Sequence, residues 1–325
     1  MTSLRARAWA LFDRIVSSAP SCDVNPWRRE DDGSLRFEPD YEALSSLLGV
    51  PALLGATSQS GVPALALDVW VSYELRRAGF DTDRVWPRPV APRVLPQEVV
   101  SFVAALPGRQ RKELEERISV RGAGGATSAN ILGKNYVKQV DVVMSSWATG
   151  PELMISTKRM DSSFGKNAAN RVEESYGDAK NLRLRHPQAA LGFFYGLGAD
   201  ALETEPETAR WLIDLLGKLG READAYDAVG LIIMDVDTAG TDNSDEADPA
   251  GPLEPGSEVL LPSAEEDALA AAEDDLPRLP RVTLERGAVP AELDPGRFLG
   301  QMCALVLDRT PINFHREARA RRQSA

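Results

Sequence analysis

Three strand-length apolar runs separated by stretches of helical spacing constrain the fold more than any other feature of this sequence. "LMISTK" (153–158), "AALGFFYGLG" (189–198) and "YDAVGLIIMDVD" (226–237) are almost unbroken in hydrophobic residues. Between the first two lies "DSSFGKNAANRVEESYGDAKNLRLRHP". There Ala168, Val172, Tyr176, Ala179 and Leu182 share an apolar helix face, with Lys166, Asn170 and Glu173 on a polar one. Asp161 or Ser163 can cap this helix, and Pro187 lies just past its end. "PETARWLIDLLGKLG" gives a second helix before the third run. Strands alternating with helices predict an α/β fold.

A hairpin precedes this alternation. "VDVVMSSWATGPELMISTK" reads as strands over about 137–144 and 152–158 around a Thr-Gly-Pro turn. Upstream, residues 1–60 are expected to form a helical N-terminal region. "PALALDVWVSYELRRAGFD" predicts a helix from Pro63 to Gly79, with Leu65, Val69 and Tyr73 at helical spacing. "VWPRPVAPRVLP" reads as a loop, 97–106 and "RQRKELEERISVR" as helices, and "GAGGATSANILGKN" as a Gly-rich loop facing DNA or acting as a lid. The expected division is therefore 1–60, a core over 61–237, an acidic loop or disordered insertion over 238–280, and 281–325 as a strand or helix returning to the core.

Composition removes several function classes. The chain has 325 residues, 43% hydrophobic and 26% charged, with no apolar run long enough to span a bilayer. Its two cysteines, Cys22 and Cys303, are far apart, so a reduced, cytoplasmic protein without a membrane association is expected. Two histidines, His186 and His315, are too few for a His/Cys zinc centre or a histidine-rich nuclease. A serine hydrolase would have to use one of them, and no G-x-S-x-G elbow is present. Any metal site should be built from carboxylates, which favours Mg²⁺. The net charge of −12 is unevenly spread: −2 over 1–100, +4 over 101–200 and −14 over 201–325. The one positive third contains the hairpin, so the overall acidity does not exclude nucleic acid.

Strand alternation puts Glu152, Met154, Ser156 and Lys158 on one face of the second hairpin strand, and Leu153, Ile155 and Thr157 on the other. Asp141 lies on the adjacent strand. A carboxylate beside an ammonium suits phosphodiester hydrolysis: one holds Mg²⁺, the other orients a water and stabilises the charged phosphorane. Two charges on an exposed edge hairpin are the alternative. Because "QVDVVM" is apolar on both sides of Asp141, the aspartate is expected to be buried and to need a partner. Two other motifs fail. "GATSANILGKN" has Ser128 and Asn135 where a phosphate-binding loop needs Gly and Ser/Thr, and "DVDTA" ends in Ala239 where a D-x-D-x-T phosphatase needs Thr.

An aspartate, a turn, then an apolar strand ending x-x-Lys resembles the PD-(D/E)XK, or restriction-endonuclease-like, nucleases. Here the pattern is Asp141, then Ser156-Thr157-Lys158, with Val140 in place of the proline and Ser156 in place of the glutamate. Some type II restriction enzymes of this kind carry Ser-x-Lys and take the glutamate from the following helix. The resemblance therefore implies Asp141 and Glu173 (or Glu174) as Mg²⁺ ligands, Lys158 as the catalytic lysine and Ser156 in the vacated position. Glu74 matches the acid such folds place on their first core helix, or else is a partner of Arg76 or Arg77. Lys166, Asn170 and Arg171 either contact DNA or form a solvated face. The resemblance further implies a mixed central sheet flanked by helices and a Mg²⁺-dependent endonuclease cutting double-stranded DNA. It would act as a homodimer in a restriction-type defence, with a cognate methyltransferase encoded separately. A nuclease for modified or structured DNA, and a non-catalytic DNA- or partner-binding protein of the same fold, are the alternative readings.

Overall fold

In the computed structural model, residues 3–119, 128–162, 164–236 and 271–325 are described. A six-stranded mixed sheet runs in the order β10-β9-β8-β7-β6-β3. Its strands are β3 (Val85–Trp86), β6 (Val142–Ser146), β7 (Gly150–Met160), β8 (Ala190–Gly198), β9 (Ala228–Val236) and β10 (Val282–Leu284). The three apolar runs form β7, β8 and β9, paired parallel, while β3, β6 and β10 add antiparallel pairings at the two edges. Parallel strands covered on both faces need apolar residues at every position, which explains why these runs do not alternate.

Each face of the sheet carries its own core. Helices α1 (Leu4–Ser18), α2 (Tyr41–Leu53), α3 (Val62–Arg77) and α9 (Pro295–Arg309) cover one face, where Leu11, Phe12, Leu47, Trp70 and Phe298 pack on Leu153, Ile155 and Phe194. Helices α6 (Phe164–Arg183) and α8 (Pro206–Leu219) cover the other, where Phe164, Ala168, Val172, Leu212 and Leu216 meet Met154, Phe193 and Tyr195. The short helix α7 (Ala201–Thr204) links β8 to α8. The alternation expected along 153–158 is present: Leu153 and Ile155 face the first core and Met154 the second. On the first face α9 crosses close to the strands. A Cβ at Gly192 would lie 2.9 Å from Phe298 Cζ, and one at Gly230 would lie 2.6 Å from Phe194 Cδ2. Those two glycines let the aromatic rings reach the sheet.

Residues 1–60 are not packed separately. Their helices share the first core with α3 and α9, and a small antiparallel pair, β1 (Trp27–Arg29) with β2 (Leu35–Phe37), adds Trp27 and Phe37 to it. Helix α3 is buried almost all round, packed between α1, α2 and the sheet. Helices α4 (Gln97–Ala104) and α5 (Gly108–Ser119) lie where expected. Most of the acidic 238–280 segment lies outside the described residues, and residues 271–275 at its end are helical rather than loop. The last expected element is helix α9, followed by α10 (Arg316–Gln323). Both histidines lie apart from Asp141 in their contacts. His315, buried, sits 2.9 Å from Glu152 Oε2, and His186 Nε2 lies 2.9 Å from the Leu132 carbonyl.

Two expectations about the hairpin are corrected. The first strand is not continuous over 137–144: it breaks at Asp141 into β5 (Val137–Val140) and β6. Only β6 belongs to the large sheet; β5 pairs with β4 (Ala129–Leu132) in a separate two-stranded ribbon. The Gly-rich stretch is therefore not all loop, since its second half supplies β4. Of its first half, residues 122–127 lie outside the described residues. The break has a local cause. The β6–β7 ladder ends at the pair Val142–Ile155, and the Asp141 carboxylate takes the next free N–H of β7, that of Thr157.

Candidate active site at the carboxyl end of β7

Beyond Ile155, β7 outruns β6 and keeps a partner only on its β8 side. This uncovered edge, at the carboxyl end of the parallel strands, is where open α/β sheets bind ligands. Asp141 Oδ2 accepts the Thr157 N–H at 2.9 Å. On the other side of the strand the Thr157 hydroxyl donates to Asp68 Oδ1 from helix α3. One residue thus anchors two carboxylates from different elements.

Both carboxylates are held above the usual aspartate range. For Asp68 the main cause is burial, reinforced by the negative charge of Asp141; the Thr157 hydrogen bond, Arg5 and Lys158 oppose it. For Asp141 burial again leads, opposed by Lys158, the Thr157 N–H and Lys138. Lys158 is thus the positive charge nearest in effect to Asp141, and it also acts on Asp68. Among the described residues Lys158 makes no ion pair or hydrogen bond, so its ammonium is available to a ligand. Arg5, reaching in from α1, adds a second cation on the Asp68 side. Two carboxylates are therefore joined through Thr157 at one strand end, with the charges of Lys158 and Arg5 acting on them.

The other expected residues are placed differently. Ser156 is buried, and the Tyr226 hydroxyl lies within hydrogen-bonding reach of it while donating to the Ser175 carbonyl at 2.9 Å. Glu173 and Glu174 are exposed on α6. The α6 acid whose charge acts on Asp141 is Asp178, and it is already bound to Lys138 and to the Tyr136 hydroxyl. Glu74 is fully buried, paired with Arg77 at 2.6 Å and accepting the Asp40 N–H at 2.6 Å; burial raises it to about 7. It is a structural partner of Arg77, but not a solvated one. Asn170 is exposed, Arg171 is engaged in interactions of its own, and the Lys166 side chain lies outside the described residues.

Asp68 was not among the residues singled out from sequence. Its signal was a lone charge inside the apolar run "ALALDVWV". In the fold it faces the sheet, where the Thr157 hydroxyl of β7 meets it. Among the described residues no three His, Cys, Asp or Glu side chains gather as a metal cage. The donor set on offer is two carboxylates, and it suits Mg²⁺, which is commonly held by one or two carboxylates with waters and substrate phosphate completing the shell.

No family model, curated protein or solved structure matches the chain.

Proposed function

We propose that this protein is a Mg²⁺-dependent endonuclease that hydrolyses phosphodiester bonds in double-stranded DNA. The observation that carries this reading is the meeting of Asp68, Asp141 and Lys158 around Thr157 at the open edge of β7. Asp68 and Asp141 would hold the cation, which would supply neutralising charge for the scissile phosphate. Thr157 fixes both carboxylates before any ligand arrives, so little reorganisation accompanies binding. Lys158, whose charge acts on both carboxylates, would orient the attacking water and stabilise the phosphorane. Arg5 supplies positive charge for a neighbouring phosphate. In this reading Asp68, contributed by the helix ahead of the hairpin, takes the role that the sequence pattern assigned to Glu173. The architecture, a mixed sheet flanked by helices, is compatible with the restriction-endonuclease-like core, and a homodimer would place two such sites on two strands.

The test is cleavage of plasmid or phage DNA by purified protein with and without Mg²⁺, beside Lys158→Ala and Asp141→Asn. Loss of cleavage by about a hundredfold or more in both variants is expected, from the typical weight of such groups in catalysis. Equal cleavage by variant and parent overturns the assignment. A non-catalytic DNA-binding role is the second reading, favoured by the enclosure of Ser156 against Tyr226, which leaves that position unable to serve as a ligand. Duplex binding without Mg²⁺-dependent cutting would select it.

A further inference from the structure

The ribbon β4–β5 runs directly into Asp141 and presents a face that nothing in the described chain covers. Its pairs are Ala129–Val140, Asn130–Gln139, Ile131–Lys138 and Leu132–Val137. One face is turned inward: Ala129 and Val140 are buried, Ile131 packs on the second core, and Lys138 is paired with Asp178. The other face carries Asn130, Gln139, Leu132 and Val137, all exposed, Leu132 to 47% and Val137 to 59%. Neither amide side chain makes a hydrogen bond among the described residues.

The ribbon is held rigidly. Asn181, buried at the end of α6, accepts the Asn135 N–H at 2.8 Å and donates to the Tyr136 carbonyl at 3.1 Å. A Cβ at Gly133 would lie 2.1 Å from Asn181 Nδ2, so the turn fits only as glycine. His186 holds the Leu132 carbonyl from the other side. Residues 128–140 carry Lys134 and Lys138 and no acid, within the one positively charged third of the chain.

We propose that this ribbon is the sequence-reading element, lying in the major groove of duplex DNA with Asn130 and Gln139 toward adenine edges and Leu132 and Val137 toward thymine methyl groups. This rests on the nuclease reading of the adjoining site. A two-stranded ribbon fits the major groove, which is about 12 Å wide, and Asn or Gln pairs bidentately with adenine N6 and N7 while apolar side chains pack on the thymine methyl. Two amides directly opposite each other, flanked by two apolar side chains on the same face, form a small A·T-selective surface. Lys134 at the tip meets the phosphate backbone and sets affinity without sequence preference. Gln139 is two residues from Asp141, about 7 Å along a strand, so the bases read lie beside the bond to be cut.

The experiment uses the full chain in a Lys158→Ala background, where binding is measured apart from cutting. A duplex library with a randomised core is selected on this protein and on the same protein carrying Asn130→Ala and Gln139→Ala. The first is expected to enrich a motif containing A·T pairs. The second is expected to lose about tenfold or more of its discrimination for each amide removed, with retained overall affinity and an unchanged thermal midpoint. Lys134→Ala should weaken all duplexes alike and reduce the salt dependence. Enrichment of the same motif by the double variant overturns the proposal, as does absence of any motif or preference for duplex RNA. Cleavage with Mg²⁺ by the parent chain separates the two levels. Motif selection without cutting keeps the reader and removes the nuclease; cutting with site choice unaltered by the double substitution keeps the nuclease and removes the reader.

Discussion

Asp68 and Asp141 are held by the same residue, Thr157: its N–H donates to Asp141 at 2.9 Å, and its hydroxyl donates to Asp68. The pair is therefore assembled by the fold, and each carboxylate is buried next to a like charge. Burying two such charges close together is costly, and both are held above the usual aspartate range.

Asp68→Asn should abolish Mg²⁺-dependent cleavage, with a loss of about a hundredfold or more. Glu173→Ala, on the exposed face of α6, should cleave like the parent. Single-turnover cleavage of a supercoiled plasmid compares the two directly. The reverse order of effects would return the second ligand to α6.

The stabilising contribution of Asp68 without divalent ion should fall with rising pH. The unfolded chain releases an aspartate proton near pH 4, whereas folded Asp68 holds its proton to higher pH. The stabilising contribution is complete below about pH 4 and is lost as pH rises through the raised value. Urea midpoints measured from about pH 4 to 8 should show this decline in the parent and a shallower one in Asp68→Asn. Mg²⁺ should raise the parent midpoint near neutrality and leave that of Asp68→Asn almost unmoved. Parallel pH profiles for the two proteins would show that Asp68 titrates normally.

Arg77→Ala should destabilise the chain by about 3–5 kcal/mol, because it leaves Glu74 buried without its cation. Glu74→Gln should cost less at alkaline pH than at acid pH, since folded Glu74, raised to about 7, loses its stabilising contribution as pH rises through that value while the amide does not titrate. Chemical denaturation gives both numbers. A neutral outcome for Arg77→Ala would mean that water enters the pair.

Gly133→Ala should displace Asn181 and free the ribbon turn. The expected cost is about 1–3 kcal/mol, with amide exchange quickened at Asn135 and Tyr136. Exchange rates equal to those of the parent would show that the side chain finds another path.

Periodicity made much of the fold legible. Near-continuous runs became β7, β8 and β9, and the 3.6-residue pattern gave α3, α6 and α8 close to their observed limits. The break at Asp141 was hidden because Val140 and Val142 are both apolar, so the alternation runs through a point where the chain changes partner. β4 was hidden by the glycines before it, and β3 by the prolines that follow Trp86. At the site, Asp141 and Lys158 were readable from local spacing, since both lie on the hairpin. Asp68 was not, because its proximity to them depends on how α3 packs across β7. Periodicity describes one element at a time; contact between elements far apart in sequence lies outside it.

The chain crosses from ribbon to sheet through a single residue. Asp141 is the pivot between the arm that would meet the bases and the strand β6 that pairs with β7. A tilt of the arm against α6 would therefore move this carboxylate through Val140, its buried neighbour in the chain. Grip and bond breakage would share one hinge, so a poorly seated duplex would be penalised in rate as well as in affinity.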